Sequence, residues 1–158
     1  MFNEDGTWRE SVFYKVLGES YVEIALRAAR KADPTAKLYL NEYNLDYPGP
    51  KLNAMVALVK DLVSKGCPID GIGSQAHLVL DNAAIEGIKG PLKTLADAGV
   101  EVAFTELDIR MPMPADATKL AHQSKNYNTV VSACMQVPGC IGVTTWGLTD
   151  KVYIYLLI

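Results

Sequence analysis

Along this chain, four apolar runs each end in a cluster of polar or aromatic side chains, and helical patterns fill the gaps between them. The runs cover residues 37–44, 69–77, 102–109 and 140–147. In the third, Val102-Ala103-Phe104-Thr105 leads to Glu106-Leu107-Asp108-Ile109. Short apolar runs of about 4–8 residues suit buried strands. Successive clusters lie about 30 to 40 residues apart, the length of a strand, its loop and a crossover helix.

The segments between the runs have helical spacing and identifiable ends. From Tyr21, the residues Ile24, Ala25, Ala28 and Ala29 mark one face, with Arg27, Arg30 and Lys31 off it, and Asp33-Pro34 stops the helix. Residues 52–65 place Leu52, Met55, Val56, Val59, Leu62 and Val63 toward a core and close on Gly66, which suits a left-handed cap. Residues 91–98 carry Pro91 in the first turn and Gly99 behind the last. Residues 116–136 put Leu120, Tyr127, Val130, Val131 and Cys134 on the expected buried side. Strand and helix in alternation predict an α/β fold with a parallel sheet whose strand C-termini share one face. A closed eight-stranded barrel takes about 250 residues. The 158 residues here supply four strand candidates, so a small open sheet or part of a barrel is expected.

Charge and composition narrow the chemistry. A net charge of −3 and a pI near 5.3 leave no basic surface for nucleic acid or an anionic membrane, whereas a neutral polysaccharide fits. Two His and three Cys are scattered, and no glycine-rich phosphate loop is present, so no metal and no cofactor is implied. Residues 1–5 have neither the basic start nor the apolar core of a signal peptide. The last seven, Val152-Tyr153-Ile154-Tyr155-Leu156-Leu157-Ile158, are uncharged and β-prone. They are too short for a membrane helix, which needs about 20 residues, and suit pairing with an open sheet edge.

The strand ends carry the candidate chemistry. Glu106 presents a carboxylate where βα folds place their sites. A lone histidine reads as a satisfied core residue, but His77 stands at a strand end after Gln75, one unit before Glu106, and reads as its partner. Trp146 offers an apolar face for a sugar ring, and Gln75 offers an amide for hydroxyls. Asp70 opens its strand and Glu42 ends one; both are read as structural.

Four motifs occur together in one order: residues 3–11 (Asn-Glu-Asp-Gly-Thr-Trp-Arg-Glu-Ser), residues 71–77 (Gly-Ile-Gly-Ser-Gln-Ala-His), residues 105–109 (Thr-Glu-Leu-Asp-Ile) and residues 145–151 (Thr-Trp-Gly-Leu-Thr-Asp-Lys). In this order and spacing the chain resembles the family-10 glycoside hydrolases, the retaining endo-β-1,4-xylanases, over nearly its whole length. The resemblance implies the second half of a (β/α)8 TIM barrel, its strands five to eight, so that residues 1–158 form a partial catalytic domain with a divergent tail at 152–158. It implies Glu106 as nucleophile, His77 and Asp108 as a supporting network, and Tyr43, Asn44, Gln75 and Trp146 at the cleft for β-1,4-xylan or its oligosaccharides.

The family's general acid/base, at a Val-Val-Asn-Glu strand end, would fall one position before Met1 by register. Asn3-Glu4 matches the loop downstream of it; no buried run precedes Glu4 to fix its carboxylate, and no catalytic role is expected of it. The resemblance also implies an extracellular protein, and in that setting a Cys134–Cys140 disulfide with Cys67 free; in the cytosol those two would be buried thiols. A non-catalytic fragment or weak β-glycan-binding remnant is the alternative. A half-barrel would also expose strand edges suited to self-association.

Overall fold

The computed structural model describes residues 1–147, so the expectations for the tail at 152–158 lie outside the described residues. Helices α1 (Val12–Leu17) and α2 (Tyr21–Ala32) flank a single 3-10 turn and lead into strand β1 (Tyr39–Glu42). Helix α3 (Pro50–Ser64), strands β2 (Gly71–Ser74) and β3 (His77–Val79), and helices α4 (Ala83–Gly87) and α5 (Lys89–Ala96) follow. Strand β4 (Glu101–Arg110), helix α6 (Ala117–Gln136) and strand β5 (Cys140–Thr145) complete the order. All strand pairings of the sheet are parallel.

β2 and β3 are two parts of one line. β2 pairs with β4 from Glu101 to Phe104 and β3 with its far end from Asp108 to Arg110. The line breaks at Ala76, whose φ of 61° is unusual for a residue with a side chain. The four predicted runs therefore correspond to β1, β2 with β3, β4 and β5. Gly66 at φ 63° closes α3 as the spacing predicted. The short helices α1 and α4 have too few residues to show a period and were not expected.

One sheet face packs on the helices. Ile72, Val102, Phe104, Leu107 and Ile109 meet Met55, Val59, Ile85, Leu92, Leu95 and Val130 in one core. Burying each such side chain contributes about 1.5–3 kcal/mol. The opposite face carries small and polar side chains. There Tyr39 lies in register with Gly71 and Glu101, and Asn41 with Gly73 and Ala103. The Tyr39 hydroxyl donates to Glu101 Oε2 at 2.6 Å, reaching from β1 to β4 across β2. The glycines leave that path open. A Cβ at Gly71 would stand 2.2 Å from the Tyr39 ring, and one at Gly73 would stand 2.6 Å from Asn41 Oδ1 and 2.7 Å from Thr105 Cγ2.

Two predicted helix faces are corrected. On α2 the buried residues are Val22 and Leu26, which join Leu62 and Cys67 in a second cluster. Ile24, Ala25 and Ala28 face outward. The helix has two apolar stripes, and contact with the end of α3 selects the one with the longer side chains; the same contact takes Leu62 and leaves Val63 exposed. On α6, Val130, Ala133 and Cys134 are buried, but Leu120 and Val131 are exposed. Buried Asn126 sets the rotation: its Oδ1 accepts from the Asp81 backbone N–H at 3.0 Å, which turns Leu120 and Val131 away from the core.

Cys134 and Cys140 form the disulfide implied by the resemblance, with Cα atoms 5.3 Å apart, and Cys67 is buried and free. Among the described residues no helix is long and apolar enough to cross a membrane.

The glycine packing makes a prediction. Gly73→Ala is expected to lose about 1–3 kcal/mol through overpacking. Gly90→Ala, in a helix with nothing within 4 Å of the new methyl, is expected to gain about 0.5–1 kcal/mol. Urea denaturation of both variants checks this, and equal effects would contradict it.

Candidate active site

The C-terminal ends of the strands bring together most of the predicted residues. His77 opens β3 opposite Asp108 in the parallel ladder, and this register places its ring between two carboxylates of β4. Its Nδ1 is 2.9 Å from Asp108 Oδ2 and its Nε2 is 3.3 Å from Glu106 Oε2. A protonated ring donates to both carboxylates, and a neutral one donates to a single oxygen. Trp146 meets the His77 ring edge to face, with centroids 6.2 Å apart.

The other Glu106 oxygen is held from β1. Asn41 Nδ2 donates to Glu106 Oε1 at 3.0 Å, and Thr105 Oγ1 donates to Asn41 Oδ1 at 2.6 Å. Because the amide oxygen takes the threonine proton, the amide NH2 must face Glu106. The strand break supports the carboxylates from below: the Glu106 N–H donates to Gln75 O at 3.1 Å and the Asp108 N–H to Ala76 O at 3.2 Å. Neither oxygen of Glu106 is left to wander, and such second contacts fix a reacting side chain's orientation.

A cleft beside this pair is lined by Tyr43, Asn44, Gln75, His77, Leu78, Asp108 and Arg110. Tyr43 is clamped by two cations: Arg9 Nη2 donates to its hydroxyl at 2.7 Å, and Lys51 Nζ stands 3.5 Å from its ring centroid. Lys51 is only 2% exposed, and its charge is met by Glu4 at 3.0 Å and Glu42 at 3.5 Å. A buried ammonium requires such partners. Asn44 adopts φ 57°, a conformation that asparagine tolerates better than most residues.

The expectation that nothing fixes Glu4 is corrected. Lys51 and, at 3.2 Å, the Tyr47 hydroxyl donate to its carboxylate. Although burial pushes its pKa up, hydrogen bonds from Lys51 and Asn44 prevail and hold it below the usual carboxylate range. Glu42 is buried and committed to the Phe2 and Tyr43 backbone N–H groups, each at 3.2 Å, as well as to Lys51 and the amino group of Met1. Asp70 sits at the opposite end of the sheet, bound to Arg30 and the Leu38 N–H. The structural reading of Glu42 and Asp70 stands.

Sequence reasoning passed over Asn41, Arg110 and Asp46. A period of two along the strands would have put Asn41 on the same face as Tyr39, and Arg110 on that of Asp108. Asp46 gives no such signal. It lies in the loop after β1, 3% exposed, and accepts a 2.5 Å hydrogen bond from Ser74 Oγ.

Burial raises the pKa of Asp46, only partly opposed by Ser74 and the charge of His77. A raised folded-state value favours the protonated form, so this contribution to stability is full below the unfolded value, about 3.9, and is lost as pH rises through the folded one. Asp46→Asn, neutral at every pH, is therefore expected to gain stability relative to the parent as pH rises from 4 to 8. Urea midpoints across that range check it, and a pH-independent difference would contradict the assignment.

Comparison with known proteins places this geometry. The glycosyl hydrolase family 10 model matches residues 1–153. Endo-1,4-beta-xylanase C of Phanerodontia chrysosporium is 55% identical over 150 residues, covering 95% of this chain and 38% of that protein. The endo-1,4-beta-xylanase of Agaricus bisporus is 49% identical, with 95% and 45% covered. Among solved structures, a family-10 endo-beta-1,4-xylanase from Gloeophyllum trabeum superposes with a TM-score of 0.90 at 37% identity, covering 98% of this chain and 48% of that one. Xylanase 10B from Thermotoga petrophila, solved with xylobiose, gives 0.90 at 33% identity, with 96% and 47% covered. The chain thus spans less than half the length of these relatives, and its parallel sheet is part of a barrel rather than a small complete fold. With the family model matched over almost the whole sequence, the chain belongs to glycosyl hydrolase family 10.

Proposed function

We propose that these residues are the nucleophile half of a retaining endo-β-1,4-xylanase site, strands five to eight of the barrel, with Glu106 as nucleophile. The observation that carries this reading is the grip on Glu106: Asn41 holds one oxygen, His77 the other, and Asp108 orients His77. The xylanase relatives, and structures of such enzymes with xylobiose, xylotriose and xylotetraose, support a xylo-oligosaccharide as ligand. Tyr43, Asn44, Gln75 and Trp146 would contact it. An extracellular setting suits the disulfide.

In this reading a Glu106 oxygen bonds to the anomeric carbon as the glycosidic C–O bond breaks. The departing oxygen takes a proton from a second carboxyl group, and water then cleaves the glycosyl ester. The two carboxyl groups of a retaining enzyme stand about 5 to 5.5 Å apart. Glu4, exposed and held ionised, and Glu42, buried among donors, do not suit the second role. That role is assigned to the rest of the barrel, which would also pair with the outer edges of β1 and β5; a second copy of this chain is the other candidate for those edges.

An aryl β-xylobioside whose leaving group needs no protonation tests the nucleophile. The chain is expected to turn it over, Glu106→Ala to abolish that turnover, and xylan to react about 10² to 10⁴-fold more slowly without acid catalysis. No turnover by a chain with native circular dichroism would refute the nucleophile assignment. The second reading, a non-catalytic β-glycan binder, is favoured by a cleft whose Tyr43, Asn44 and Gln75 need no proton donor. It predicts xylotriose binding without turnover.

A further inference from the structure

Arg110 stands apart from the other arginines. Arg9 is engaged by Tyr43 and the Phe2 carbonyl, Arg27 by Glu23 and the Lys65 carbonyl, and Arg30 by Asp70 and two carbonyls. The Arg110 guanidinium has no hydrogen-bond or ion-pair partner among the described residues, although it lines the cleft. Its backbone is fixed: Arg110 pairs with Val79 in the ladder, and its carbonyl accepts from the Leu80 N–H at 2.9 Å. Asp108, the carboxylate two residues before it, is occupied by His77. The result is an uncommitted, exposed cation on a firm strand end, in a cleft whose other polar lining includes the amides of Asn44 and Gln75.

We propose that Arg110 is a specificity-determining residue that binds a carboxylate-bearing sugar substituent, a uronic acid branched from the glycan chain. This rests on the xylan reading of the site. A neutral chain offers a guanidinium only hydroxyls, whereas a carboxylate matches its fork with two parallel charge-assisted hydrogen bonds. Position suits a branch rather than the cleaved bond. Arg110 stands four positions beyond Glu106 along β4, about 13 Å at a strand's usual rise. That exceeds the Debye length of about 8 Å at physiological ionic strength, so the cation can hold an anion without quenching the nucleophile. A polyanion is disfavoured by the chain's net charge of −3, which leaves a sparsely substituted chain as the ligand.

The test measures binding by the full chain, and so is independent of turnover. Xylotriose and xylotriose bearing one glucuronic acid are titrated by calorimetry or NMR into the parent, Arg110→Gln and Arg110→Lys, at low and high salt. The parent is expected to bind the acidic oligosaccharide about three- to tenfold more tightly than the neutral one at low salt. Arg110→Gln should remove the difference by weakening the acidic sugar far more than the neutral one, and Arg110→Lys should keep part of it. Equal binding of the two sugars by the parent, equal weakening of both by Arg110→Gln, or free glucuronate binding as tightly as the branched sugar would each overturn the proposal and leave the xylan reading intact. Binding of neither oligosaccharide would overturn both.

Discussion

Two positions without a Cβ, Gly71 and Gly73, make this face of the sheet a site. Side chains from β1 can reach β4 only by lying across β2, and any larger residue there would collide with the Tyr39 ring or with Asn41 and Thr105. Through that opening Tyr39 meets Glu101 and Asn41 meets Glu106. The glycines supply no chemistry themselves. They allow a hydrogen-bond line to run across three strands and end on the proposed nucleophile.

The geometry of the site follows from that line and from one backbone break. Ala76 at positive φ separates β2 from β3, and the chain re-enters the ladder with His77 opposite Asp108. Glu106 is then held from both sides, by an amide oriented by Thr105 and by an imidazole oriented by Asp108. In the proposed reaction, positions this constrained would need little reorganisation, which is where preorganised polar groups are most effective. The cost falls on the backbone, in a conformation that an alanine rarely adopts.

A second group of charges sets the cleft's other wall. Lys51, buried beneath Tyr43, joins Glu4 of the N-terminal loop, Glu42 of β1 and the first turn of α3. Removing one partner would strand a buried charge, so the cluster acts as a unit that ties residues 1–9 to the strand ends. It also anchors Glu4, whose carboxylate accepts from Lys51 and the Tyr47 hydroxyl.

The apolar runs, the turn residues and the strand-end motifs were legible in the sequence because each is local: a run of Val102, Ala103 and Phe104 makes a buried strand in any α/β context, and Gly66 ends a helix wherever it stands. The same local signals pointed to Glu106 and His77, and the motif order pointed to the family and, through the resemblance, to Asp108. Tertiary structure decided what depends on a distant partner. It chose Val22 and Leu26 over Ile24 on a helix with two apolar stripes, and rotated α6 about the buried Asn126. It buried Asp46 beneath Ser74, anchored Glu4 on Lys51, and brought Asn41 through the gap at Gly73 to Glu106. Each of these outcomes is set by a contact between residues far apart in the chain, and no periodicity within one segment carries that information.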